Sequence, residues 1–174
     1  MSQKIGSLGS YRIDYTLEMA GAEELSKGYC VVADKRYLIN VDGLAQGFDG
    51  EAVWMLNNLT REYTLDNPKP NSRNLFDNPT KAFDFEEELF EVVKFESKSE
   101  QEWQLTLRPA EGVLDGIEYV VVGVDKKSLL PTMLGYDMAG AGIYIDIVGV
   151  EPIDSSVSEF RIEVPSDYEV IDFR

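Results

Sequence analysis

The sequence predicts a mainly β protein, α+β in class: a strongly curved antiparallel sheet or partial barrel interrupted by one short helical segment. Apolar and polar residues alternate with a period of two through much of the chain. Hairpin-type turn signals recur between those runs. The alternation of strand and long helix that a Rossmann or TIM architecture requires is missing. At 174 residues the chain is about one domain, and a single domain over residues 1–174 is expected.

In Tyr11-Arg12-Ile13-Asp14-Tyr15-Thr16-Leu17-Glu18-Met19 the apolar residues occupy the odd positions, the mark of a strand with one wet and one dry face. A loop through Gly21 and Glu23–Gly28 follows. Tyr29–Val32 and Tyr37–Val41 flank Asp34-Lys35 and read as a hairpin. Asp42-Gly43 and Asp49-Gly50 are turns. Around them lie Gly47-Phe48, Ala52–Leu56 and Arg61–Leu65, making five or six strands before residue 66.

Asp66–Ser72 is rich in turn formers and reads as an exposed loop. Asn78-Pro79 resembles a helix N-cap with proline in the first helical position. Thr80–Phe90 then predicts a short helix, or two helical turns, with Ala82, Phe83, Phe85, Leu89 and Phe90 as its apolar surface. Strands resume at Glu91–Ser97, Glu102–Arg108, Ile117–Asp125, Leu130–Tyr136, Gly142–Val150 and Phe160–Val164. Turn signals separate them: Pro109, Asp115-Gly116, Asp125–Ser128 and Asp137–Gly140. Short links between neighbours imply antiparallel meanders, and ten or so strands imply strong curvature.

The charge balance, 16 Lys+Arg against 32 Asp+Glu, leaves −16. That field repels phosphate backbones, so nucleic acid is not an expected partner. No apolar run approaches the ~20 residues of a spanning helix. Histidine is absent, which removes Ser-His-Asp and Cys-His machinery and most catalytic zinc sites. An enzyme here would need a carboxylate-only mechanism, and no acidic pair stands out; the expectation is no enzyme, no metal and no cofactor. Glu86-Glu87-Glu88 with Glu91 reads as a solvated face, because consecutive carboxylates on a helix do not converge. Cys30, the one cysteine, reads as a small buried hydrophobe.

What remains is a surplus of bulky apolar residues: Tyr11, Tyr15, Tyr37, Trp54, Phe76, Phe83, Phe85, Phe90, Trp103 and Tyr119. They fit either a packed core or a ligand cavity under a cover. A curved sheet with an apolar concave face needs something over it, and Thr80–Phe90 is the segment suited to be the lid.

The closing stretch, Glu159-Phe160-Arg161-Ile162-Glu163-Val164-Pro165 through Val170-Ile171-Asp172-Phe173-Arg174, resembles the end of the LolA-like outer-membrane lipoprotein carriers. There an F-x-F strand leads through a proline-containing loop to a V-x-D-x-R ending. Gly28–Val41 resembles that family's second and third strands, and Asp49-Gly50-Glu51-Ala52-Val53-Trp54 its D-G-x-x-x-W signature, with the tryptophan turned inward. Asn78-Pro79 and the apolar stretch after it resemble the lid of the Bacteroidetes-type branch. Ser2–Leu8 resembles the tail of the family's first helix, whose earlier part and any signal peptide would lie upstream. The family's latch arginine before a proline has no match in Ala33-Asp34-Lys35-Arg36.

The resemblance implies an unclosed antiparallel barrel with a helical lid, a periplasmic location in a Gram-negative bacterium and carriage of acylated lipoproteins or related lipids toward the outer membrane. Its implied partners are inner- and outer-membrane lipoprotein-sorting proteins, and a monomer is expected. The alternative is a lipid-sensing or protein-interaction module on the same fold. The residues expected to line the apolar cavity and lid are Tyr15, Leu17, Tyr37, Ile39, Trp54, Met55, Phe83, Phe85, Leu89, Phe90, Trp103 and Leu105. Methionine and aromatic walls suit a ligand of variable shape.

Overall fold

The computed structural model describes residues 1–19, 24–72, 77–138, 141–154 and 160–174. Phe76, Gly21 and Glu23 of the expected loop, and Ala139 and Gly140 of the Asp137–Gly140 turn lie outside them. A five-residue helix α1, Ser2–Gly6, precedes twelve strands: β1 Ser10–Met19, β2 Ser26–Ala33, β3 Arg36–Val41, β4 Leu44–Phe48, β5 Val53–Asn57, β6 Glu62–Asp66, β7 Phe90–Ser97, β8 Glu102–Pro109, β9 Tyr119–Asp125, β10 Pro131–Met138, β11 Ala141–Pro152 and β12 Glu169–Asp172.

They form one sheet in the order β12-β6-β5-β4-β3-β2-β1-β11-β10-β9-β8-β7. The terminal strands β12 and β7 do not pair, so the barrel is unclosed, as expected. A twisted sheet this wide curls rather than staying flat, and a single core cluster joins Tyr37 and Ile39 of β3 to Leu107 of β8 and Val120 of β9. The turns obey local chemistry. Asp42 (φ 41°) and Gly43 (φ 84°) are both left-handed, as a two-residue hairpin turn of the favoured twist requires. At the next turn, the Asp49 carboxylate accepts hydrogen bonds from the backbone N–H groups of Glu51 and Ala52 at 2.9 and 3.1 Å.

The period-two alternation sorts the side chains into two sets. Cys30 and Val32 of β2 and Tyr37 and Ile39 of β3 point to the core face with Tyr11, Ile13, Tyr15 and Leu17 of β1. From the other half of the sheet they meet Leu107, Val120, Val122, Val124, Leu134, Tyr136 and Ile145. Leu134, Val122 and Ile145 are 0 %, 1 % and 2 % exposed; side chains like these contribute ~1.5–3 kcal/mol each when removed from water. The alternate residues Val31, Ala33, Leu38, Ala45 and Trp54 build a second, smaller core on the outer face, closed by Phe160.

Three expectations change. Thr80–Phe90 is not a continuous helix. It holds one 3-10 turn, Pro79–Lys81, then a separate turn in which Leu89 and Phe90 N–H groups bond the Glu86 carbonyl. Its apolar residues at 82, 83, 85, 89 and 90 would fit one broad helix face. The chain instead makes two separate turns, the second of the two forms expected, with non-helical residues between them, so the lid is mostly loop. Phe160–Val164 is not a strand: Phe160 is buried against the outer face and its carbonyl bonds a side chain instead of a ladder. Finally, β12 pairs β6 in parallel, Glu169 opposite Glu62 through Asp172 opposite Leu65. A parallel partner needs a crossover of a dozen or more residues; of the chain between β11 and β12, Ile153, Phe160 and Ile162 pack against the outer face.

Candidate functional site

The core face is capped by the segment between β6 and β7. Ala82 and Phe83 are 2 % and 5 % exposed and belong to the main core, with Phe85 and Leu89 packed against it. The Phe85 and Phe90 rings meet edge to face, centroids 5.2 Å apart. The Tyr37 hydroxyl donates to the Asp77 carbonyl at 2.8 Å. The buried Asn78 amide donates to the Pro70 carbonyl at 3.1 Å and its oxygen accepts from the Thr80 hydroxyl, tying the proline loop to the 3-10 turn.

Hollows flank the cap. A half-open cavity of about 400 Å³ lies between it, β3–β4 and the proline loop, lined by Tyr37, Phe48, Pro68, Pro70, Asn78 and Thr80 among others. A second, of about 410 Å³, lies on the side of α1, lined by Ile5, Tyr11, Val32, Thr80 and Phe83 among others. Thr80 borders both. Each volume falls in the range of small-molecule sites, ≈ 300–1,000 Å³. Beneath the cap the face is buried. Burial pushes the Cys30 thiol up to about 12 and raises Tyr11 and Tyr15, with smaller contributions from the neighbouring Cys30. Burial also raises Tyr37, against a hydrogen bond with Gln46 that lowers it.

Of the residues expected to line a cavity, Tyr15, Leu17, Tyr37, Ile39, Phe83 and Phe90 come together in the main core, each 7 % exposed or less. Phe85, Leu89 and Leu105 pack against it, half-buried. Met55 shares that face by its pairing with Gln46, and borders a shallow hollow of about 110 Å³ with Ile39, Val41 and Leu44. Trp103, paired with the core residue Val124, stands at the margin, its ring 6.1 Å from that of the exposed Phe95. Trp54 is the correction. It faces outward, lies over Gly47 and donates from its indole nitrogen to the Phe160 carbonyl at 2.7 Å. Trp54 and Met55 are successive residues of one strand, so they point to opposite faces. The centre of the expected hollow is filled by the chain's own side chains, and the open volume lies beside the cap.

The sequence reading missed Phe48, Lys35, Lys69 and Lys81, which line the first cavity. It treated 66–72 as a solvated loop; the available signal was the alternation of proline and lysine in Pro68-Lys69-Pro70 within so acidic a chain. Among the described residues, no group of three or more His, Cys, Asp or Glu side chains is placed to hold a metal ion, and no helix is long and apolar enough to cross a membrane.

An open, mostly antiparallel sheet whose apolar face is capped by a short segment is the architecture by which this protein is to be classed. No family model and no curated protein matches the chain. Among solved structures, an uncharacterized conserved protein from Thermus thermophilus superposes with a TM-score of 0.66 at 10 % identity, over 98 % of this chain and 95 % of that one. That likeness shows the fold. A LolA superfamily protein from Nitrosomonas europaea gives 0.44 at 12 % identity, over 92 % and 97 % of the two chains. The Mycobacterium tuberculosis lipoprotein LppX gives 0.42 at 8 % identity, over 88 % and 97 %. Scores below 0.5 carry no weight for function.

Proposed function

We propose that this chain is a non-enzymatic, LolA-like binding protein that takes up acyl chains beneath the 77–89 cap and carries them, as lipoprotein or free lipid, through the periplasm toward the outer membrane. The observation that carries the reading is the cap itself: a short, mostly non-helical segment over a buried apolar face, with a cavity of about 400 Å³ on either side. Such a segment can swing aside without unravelling a strand. An acyl chain would then take the place of Phe83 and Phe85 against Tyr37, Ile39, Tyr15 and Leu17. Each buried methylene is worth ~0.8 kcal/mol, so a 16-carbon chain gains on the order of 12 kcal/mol, close to its gain in a bilayer. The cost of displacing the cap sets the balance between holding cargo and releasing it.

Native mass spectrometry of the purified protein tests this, together with Trp103 fluorescence in a Trp54→Phe background, where the sole indole lies at the margin of the core face. Co-purifying lipid, or a blue shift on adding a long-chain lipopeptide, is the expected result. Absence of both overturns the carrier reading and leaves an interaction module on the same fold.

A further inference from the structure

We infer that the cavity between the cap and β3–β4 is an anionic head-group site, binding the carboxylate or phosphate of a single-chain amphiphile whose tail runs under the cap. The inference rests on the acyl-chain reading and specifies its ligand. Three of the chain's nine lysines surround this one hollow: Lys35 from the β2–β3 turn, Lys69 from the proline loop and Lys81 from the 3-10 turn. They reach it from three separate stretches of chain, in a protein whose net charge is −16. The apolar part of the lining is Tyr37 and Phe48, rings 6.1 Å apart, with Pro68 and Pro70.

The lysines differ in one respect. Lys69 already has an anion, the Asp77 carboxylate at 2.9 Å, which also accepts from the Ser72 hydroxyl at 3.1 Å. Among the described residues, no carboxylate is placed to pair with Lys35 or Lys81; the nearby Asp34 is turned to Arg36 at 3.8 Å. Two ammonium groups without an ion-pair partner among the described residues, bordering one hollow with an aromatic and proline lining, match an anion joined to an apolar body. A neutral ligand leaves both ammoniums unused, and a free anion leaves the rings uncovered. Lys81 sits next to Ala82 and Phe83, so a head group held there places its tail at the point where the cap enters the core.

Isothermal titration with 12-carbon ligands below their micellar range separates the possibilities: dodecanoate, dodecyl phosphate, dodecyl maltoside and, without a chain, inorganic phosphate. Both anionic amphiphiles are expected to bind about tenfold or more tighter than the maltoside. Lys35→Gln with Lys81→Gln should abolish that preference while leaving the melting temperature unchanged, and added salt should narrow it. Which anion binds tighter identifies the head, a fatty acid or a phospholipid derivative. Equal binding of all three chains overturns the head-group site and leaves the acyl-chain reading intact. Phosphate binding as tightly as dodecyl phosphate overturns the amphiphile. If no 12-carbon ligand binds, the inference and the reading beneath it both fall.

Discussion

The indole nitrogen of Trp54 donates a 2.7 Å hydrogen bond to the backbone carbonyl of Phe160, and both residues are 2 % exposed. This contact fastens the crossover to the outer face and so lets β12 reach its parallel place beside β6. Arg161, next along the chain, adds a surface tie to the Asp49 carboxylate at 2.8 Å. Burial alone would raise that carboxyl, but the Ala52 and Glu51 N–H groups and the Arg161 guanidinium together hold it below its ordinary value.

Trp54→Phe should cost ~1–3 kcal/mol in denaturant unfolding, because it leaves a buried carbonyl without a donor. Arg161→Ala should cost under ~1 kcal/mol, since the guanidinium is largely exposed and its pair is screened. If the two changes cost the same, the indole is not the anchor.

Gly47 is where the indole needs room. A Cβ there would meet Trp54 ring atoms at 2.5 and 2.6 Å, far inside contact distance. Gly47→Ala should therefore destabilise by ~1–3 kcal/mol, in the range of other overpacked sites. Combined with Trp54→Leu, which removes the ring, the alanine should cost much less than it does alone. A strictly additive pair would show that the clash relaxes elsewhere.

Phe83→Ala removes the side chain that pins the cap. Loss of a buried phenylalanine side chain typically costs 3–5 kcal/mol. Here the expected loss is nearer ~2–3 kcal/mol, because hollows on both sides let the segment collapse inward. Binding of a hydrophobic dye and protease cleavage within 84–88 should both rise while the sheet's circular dichroism holds. Unchanged dye binding and cleavage would mean that the cap does not open.

The Cys30 thiol, held at about 12 by burial against an ordinary 9.0, makes stability depend on alkaline pH. Above pH 9 the unfolded chain releases that proton and the folded one keeps it. The unfolded state therefore binds fewer protons, and stability falls as pH rises from about 9 toward 12. Tyr11 and Tyr15, also raised by burial, act in the same direction at higher pH. Between pH 9 and 10, Cys30→Val should flatten the stability curve, and the native thiol should resist an aromatic disulfide reagent at pH 8.

Much of the sheet was readable in advance. The first six strands lie close to where period-two alternation and the Asp34-Lys35, Asp42-Gly43 and Asp49-Gly50 turns put them, although β2 begins at Ser26, inside the expected loop, and β4 at Leu44, ahead of Gly47-Phe48. Those signals are local, set by Cβ directions and by backbone torsions of a few residues. The end of the chain was harder to read. Phe160-Arg161-Ile162 alternates like a strand but lies on the outer face, and β12, only four residues long, joins a strand more than a hundred positions earlier. Cap spacing was ambiguous for a related reason: with five apolar residues in nine positions, local preference decides little and packing against the sheet decides the rest.

By itself the sequence determined two side-chain sets on each strand, and hence a one-layer antiparallel sheet with an apolar face in need of a cover. Only the tertiary structure decided which set the cap covers and which the crossover covers. In β2 and β3 both sets are apolar, Cys30, Val32, Tyr37 and Ile39 against Val31, Ala33 and Leu38. Hydropathy is then equal on the two sides, so Trp54 falls outward and Met55 inward through the curvature of the whole sheet and the path of distant chain, neither of which alternation encodes.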